Sequence, residues 1–536
     1  MRHVTTVVVG ALVAGLIALG LVLDGVMPSS EAGQGEPTPR TAGAGAWVCA
    51  AGDTREGSTL AVVAAAPPVG QPDDEPVGGE PATLALVPFS DGEALEIVST
   101  QVFPNGAVAS PVEPRLTDVG VVARWWDVPT AVTRNWVVDV EGAPGGIVAG
   151  PCQPALSDRW VVPGVATAGG AQARLVLANP FSAAASVTID LTTSDGLVSP
   201  KRLENVVVPA QSTATVELNR HAPEQADLGA IVTVRSGRVV VDGLQIVDAA
   251  IGGIEGRSLA LAAPQAAETW TIPAVANGEN ESSWLWVTNP SDEPAALLLA
   301  LHTPTGGIVP EGLEEIVIDP GVTQRVELVG LLEETVEHAS VTVSSDNGVP
   351  VVVSAATQYR AEDPARTGLT VALGSPVLDT SWVLSPGPLT DRQAVVDLAN
   401  PSGAPAEVDL AIWGGGGLQR PDELAGLEVP AGGRLSVDVS EFLADPSVPV
   451  TVFVLAVDRV AAGIRAYRPE GVLDPVAFAG IPARVFEVGA PMRRVSFAPD
   501  LSVRLGTRSG PTDVSDPLLE DTDVGDEFVE DLDLEP

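Results

Sequence analysis

The chain is poor in most residues that reaction chemistry depends on. Its 536 residues include two cysteines, two tyrosines and four histidines, aromatics reach only 4%, and Lys201 is the only lysine. Bases are outnumbered as well: 28 Lys and Arg face 70 Asp and Glu, for a formal net charge of −42. Nucleic-acid binding requires a basic surface that displaces counterions from phosphates, so this balance excludes it. The same sign repels anionic lipid headgroups and phosphate-bearing wall polymers. His3, His221, His302 and His338 have no partner at metal-ligand spacing, and HExxH and CxxC are missing. A Gly-x-Ser-x-Gly elbow, a P-loop and a dinucleotide glycine motif between strand and helix are missing too. The run Gly414 to Gly417 has no Lys-Ser/Thr after it and reads as a turn. Paired carboxylates can hydrolyse glycosides, but a chain this acidic supplies such pairs by chance. The expectation is a protein with no catalytic residues, no metal and no cofactor.

Long hydrophobic runs are also scarce, with one exception. Residues 4–23 carry no charge, with Arg2 before them and Asp24 after. About twenty apolar residues span a bilayer as a helix, and the flanking charges place the bulk of the chain outside. A cleaved signal peptide is the rival, but 24–32 offers only a poor small-x-small site. The reading is a membrane anchor over 1–27 and a flexible linker over 28–46. A disordered acidic tail covers 491–536, where 513–536 alone holds eleven carboxylates and no base.

What the chain has in abundance is repetition. Trp47, Trp160, Trp270 and Trp382 recur at intervals of 113, 110 and 112 residues. Leu-Val-Leu-Ala-Asn-Pro at 175–180 returns as Leu-Trp-Val-Thr-Asn-Pro at 285–290 and Val-Asp-Leu-Ala-Asn-Pro at 396–401. Val-Pro-Ala-Gln at 208–211 returns as Ile-Asp-Pro-Gly at 318–321 and Val-Pro-Ala-Gly at 429–432. A fixed period means one domain type used several times. Within it, period-two alternation such as Val187, Ile189 and Leu191 against Thr188 and Asp190 marks half-buried strands, separated by Pro, Gly and Asn turns. The fold class is therefore all-β: four tandem immunoglobulin-like antiparallel β-sandwiches after one N-terminal transmembrane helix. The repeats run over 47–154 (degenerate), 155–264, 265–376 and 377–490, each with seven or eight strands. The short linkers imply a semi-rigid rod. The Asn-Pro pairs read as turn chemistry.

Two features point to particular residues. Cys49 and Cys152 stand at the opening and closing of the first repeat, and two cysteines in an extracellular chain are expected to pair. The second feature is strand phase. The residues four and two before each Asn are always apolar and face the core. Those five and three before it are Arg174 and Val176, Trp284 and Trp286, then Val395 and Asp397; they vary and face outward. Trp413 and His302 fall on outward phases as well. Trp284, Trp286 and Trp413 are thus the candidate binding face, able to stack on sugar rings or a partner protein unless a loop or neighbouring repeat covers them.

The Trp-x-x-Pro openings (Trp160–Pro163, Trp270–Pro273) with the repeated Asn-Pro strands resemble those of an uncharacterised actinobacterial family, a domain of unknown function. The likeness covers roughly 47–490; Trp382–Pro386 carries an extra residue and the first repeat lacks both motifs. The resemblance implies a cell-envelope location and brings no activity with it. The expected function is that of a non-catalytic, membrane-tethered extracellular scaffold or protein-interaction rod with an unknown envelope partner. The alternative is a glycan-binding array using the outward tryptophans.

Overall fold

A computed structural model describes residues 43–482, apart from 51, 53, 55–56, 68–80, 114–117, 140–145, 155, 249–255, 277–280, 311–315, 329–337, 360–367 and 469–472. The expected membrane anchor, most of the linker and the acidic tail lie outside these residues. Among the described residues no helix is long and apolar enough to cross a membrane. The described residues are all-β, built of antiparallel sheets with a few short 3-10 turns.

The second repeat shows the pattern. Nine strands form two sheets. In one, Arg159–Val165, Leu228–Ser236, Ala185–Thr193 and Gly196–Val198 lie in order, with Val206–Val208 also on Ala185–Thr193. In the other, Ser212–Glu217, Gln172–Asn179, Val240–Val247 and Gly256–Leu261 lie in order. Trp160, Val162, Val187 and Ile189 of the first sheet join Leu175, Leu177 and Val241 of the second in one buried core. The first and third repeats have the same nine strands in the same order. In the fourth, one strand, Pro449–Arg468, passes continuously from one sheet into the other. The ninth strand exceeds the number expected because runs as short as Gly196–Val198 leave no periodic signal. The chain also enters the first sheet earlier than expected: Gly43–Cys49 pairs with Gly120–Asp127, so residues 43–46 belong to a strand and not to a linker.

The repeated motifs are the fasteners of this unit. Each of the four periodic tryptophans is buried, and its indole N–H donates to a backbone carbonyl where the chain crosses between sheets. The acceptors are Thr130, Val239, Val351 and Val460, at 2.7, 3.1, 2.7 and 3.1 Å. An indole buried with such a partner avoids the cost of stranding its N–H donor. The buried Asn179 amide donates to the Ala183, Val208 and Pro209 carbonyls at 2.8, 3.2 and 3.0 Å and accepts from Phe181 N at 3.0 Å. Asn289 and Asn400 do the same, holding Ile318, and Val429 with Pro430. The Asn-Pro motif therefore clamps the Val-Pro-Ala motif. The residue after that clamp has a left-handed backbone at Gln211, Gly321 and Gly432 (φ 45, 70 and 64°). Proline in Trp-x-x-Pro cannot donate to the ladder, and the register shifts there between Val162 and Val165 and between Ile272 and Val275.

The closing of each repeat follows one rule. Gln153, Ala263, Ser375 and Ile481 bridge back to Val48, Val161, Thr271 and Val383, the residues that follow the periodic tryptophans. Beside that bridge Cys49 and Cys152 are joined by a disulfide, with 4.6 Å between Cα atoms. The equivalent pairs later are Val162 with Ala262, Ile272 with Gly374 and Leu384 with Gly480: as one side grows the other shrinks. A Cβ at Gly374 would lie 3.3 Å from Ile272 Cγ1, and one at Gly480 only 2.5 Å from Leu384 Cδ2.

The repeats do not form a rod. Their last strands, Gly146–Pro151, Gly256–Leu261, Gly368–Leu373 and Leu473–Ala479, each touch two others, and the cycle closes because the fourth meets the first. In each seam the first sheet of one repeat lies on the outer face of the second sheet of the next: Arg159–Val165 on the third repeat, Thr269–Ala276 on the fourth, and Asp379–Pro388 back on the first. Short linkers constrain neighbours, but they say nothing about whether the ends meet.

Gly480→Ala should overpack this closing bridge and cost about 1–3 kcal/mol. Combined with Leu384→Ala, it should cost less than the sum of the two single losses in thermal or denaturant unfolding, because the smaller side chain makes room for the added methyl. A double variant no more stable than the sum of the two single losses would contradict the size matching.

Candidate functional site

Trp284 and Trp286 lie on the strand Glu281–Thr288 and point away from the core of their own repeat, as the phase requires. They are nevertheless only 9% and 1% exposed, because the first sheet of the second repeat covers them. The two rings meet edge to face, with centroids 5.4 Å apart. A Cβ at Gly164 of the second repeat would lie 2.2 Å from Trp286 Cγ, so the backbone approaches the indole as closely as only glycine permits. Asp227, also from the second repeat, accepts from Trp286 Nε1 at 2.8 Å and from Arg325 Nε at 2.8 Å. The Arg325 guanidinium sits 4.5 Å from the Trp284 ring centroid and 5.7 Å from that of Trp286. Aromatic edge contact, cation–π contact and a charge-assisted hydrogen bond thus all act across one seam. The pair does not form an open binding face.

Trp413 has the same fate at another seam. It follows the outward phase of Ala406–Gly414 and is half-buried, with its Nε1 3.4 Å from where a Cβ of Gly106 in the first repeat would sit. By strand register it is equivalent to Phe89, Thr192 and His302. Each of these reaches the next repeat: Phe89 joins the core cluster of the second, Thr192 Oγ1 meets Thr323 Oγ1 at 2.6 Å, and His302 Nδ1 meets the Gly432 carbonyl at 2.8 Å. A second position behaves likewise. Asp118, Asp227 and His338 stand at the start of equivalent strands, and each faces the outer sheet of the following repeat.

Variation at outward positions therefore reflects a different partner at each seam. Asp397, on the same outward phase, is fully buried between Arg434 and Arg465. Burial alone would raise its carboxyl, but Arg465 and Arg434 hold it below the ordinary range. Arg465 donates to it twice, Nε to Oδ2 at 2.7 Å and Nη2 to Oδ1 at 3.0 Å. A second buried pair, Arg134 with Asp242 at 2.6 Å, joins the first and second repeats. Sequence reasoning missed both. The available signal was a charge at a position where the other repeats place small or apolar residues: Gly243, Ala355 and Ile464 at the Arg134 position. No group of three or more His, Cys, Asp or Glu among the described residues is placed to hold a metal.

The Family of unknown function (DUF5719) matches residues 127–375 and again 333–476. The chain belongs to this family. No curated protein matches it. Among solved structures, the crystal structure of Thermotoga maritima 1070 is 20% identical, with a TM-score of 0.18, and covers 21% of this chain and 95% of its own. That of Streptomyces avermitilis alpha-L-rhamnosidase complexed with L-rhamnose is 7% identical, with a TM-score of 0.13, and covers 73% of this chain and 55% of its own.

Trp284→Ala and Trp286→Ala should each cost about 3–5 kcal/mol, as buried tryptophans do, and their combination should strongly lower the melting temperature of the full chain. Gly164→Ala should loosen the same seam while leaving both indoles in place, and should increase their quenching by acrylamide. Unchanged melting in the double variant would mean that the pair contributes nothing to the seam.

Proposed function

We propose that this member of the family is a non-catalytic structural body of an actinobacterial cell envelope, held outside the membrane by its N-terminal segment and offering its outer surface to another envelope component. Its units are immunoglobulin-like sandwiches joined into a four-membered ring instead of a rod. The observation that carries this reading is the use of the distinctive side chains. The outward tryptophans, the buried ion pairs and two of the histidines all serve seams between repeats, as parts of a rigid body do. The disulfide between Cys49 and Cys152 supports an oxidising compartment, since such bonds persist outside the cytosol. The charge-free 4–23 stretch with Arg2 and Asp24 beside it supports a tether. A sugar platform on Trp284 and Trp286 would require the second and third repeats to part.

Protease added to intact, wall-stripped cells should remove the chain from residue 43 onward, and cross-linking on those cells should capture an envelope partner. A protease-resistant soluble pool with reduced cysteines would reject the reading.

A further inference from the structure

Two of the chain's four histidines meet at one seam. His302 and His338 both lie where the third repeat packs on the fourth. His302 is buried. Its Nδ1 donates to the Gly432 carbonyl of the fourth repeat at 2.8 Å, which leaves Nε2 to accept from the Thr342 hydroxyl at 2.8 Å. That assignment uses the neutral ring fully. A second proton would place a charge among partners with none to offset it, and burial accordingly holds this imidazole below its ordinary range.

His338 begins the strand His338–Ser345 and faces several titratable groups. Glu281, on Glu281–Thr288, stands 3.7 Å from Nδ1. Asp397 on Gln393–Ala399, Arg434 on Arg434–Asp438 and Arg465 on Pro449–Arg468 act on it across the seam. Tyr359 and Tyr467 adjoin the same group, and both are held neutral by burial. Glu281 and Asp397 balance Arg434 and Arg465, so the cluster is neutral only while His338 is neutral. Burial, then Arg465, outweigh the attraction of Asp397 and lower His338 to about 4.

We propose that the seam between the third and fourth repeats is an acid-operated joint, in which protonation of His302 and His338 parts these two repeats while the remaining seams hold. The equivalents of these residues elsewhere do not become cationic on acidification: Phe89, Thr192 and Trp413 replace His302, and Asp118 and Asp227 replace His338.

The sign is fixed by linkage. Both histidines take protons less readily in the closed seam than in the open one. The seam is therefore fully stabilised above about pH 6.5 and weakens as the pH falls below it, with the His338 contribution lost progressively down to about 4. Each histidine can raise the opening constant by up to about tenfold per pH unit within that window. Hydrogen exchange of the full chain, corrected for intrinsic rates, tests this. Between pH 7 and pH 5, Ala295–Thr303, His338–Ser345 and Gln393–Ala399 should lose protection, while Arg159–Val165 and Glu281–Thr288 keep theirs. The pair His302→Asn and His338→Gln should abolish the difference. Should that variant fail to fold, histidine resonances of the unaltered chain decide: both should titrate below 6.5 in the folded protein, His338 near 4. Ordinary titration near 6.5, equal deprotection at every seam, or a pH response that survives in the folded variant would overturn the proposal.

Discussion

The face that each repeat turns away from its own core is the constraint on which the rest of the structure depends. A two-sheet unit satisfies one side of each sheet internally. Here the second sheet also carries side chains on its other side that water would serve badly: an aromatic pair in the third repeat and a buried carboxylate in the fourth. They are tolerable only because a neighbouring first sheet lies on them. Four such faces need four covers, and a linear chain always leaves one face bare. The contact between the fourth and first repeats removes that deficit, so ring closure follows from the same burial that builds each seam.

The seams share geometry but not chemistry. Where the second repeat uses Asp227 against Trp286 and Arg325, the third uses His338 against a balanced set of carboxylates and guanidiniums. Where Thr192 meets Thr323, Trp413 meets Gly106. Mismatched pairing would strand a buried charge or force an indole against a side chain, and either costs several kcal/mol. Different partners at equivalent positions thus fix the order of otherwise similar units.

Much of the unit itself was legible in the sequence. The tryptophan beat, the Asn-Pro and Val-Pro-Ala motifs and the two cysteines all proved to be fasteners within one repeat: indole to crossing strand, amide to turn, closing residue to opening strand. They were readable because local geometry demands particular residues there: a donor that can be buried, a side chain that mimics a turn, a position without a Cβ. The facing of Trp284, Trp286, Trp413 and His302 was readable for the same reason, since strand alternation is a local property.

Whether those faces meet solvent was not local. Exposure depends on which repeat lies against which, and that is set by contacts between residues more than a hundred positions apart, such as Gly164 with Trp286 and Gly106 with Trp413. By itself the sequence determined the repeat, its sheets, its fasteners and the direction in which each side chain points. Only the tertiary structure decided that the units close into a ring and that neighbouring repeats cover the outward tryptophans and charges. A face pointing away from its own core looks the same in sequence whether water or another repeat lies beyond it.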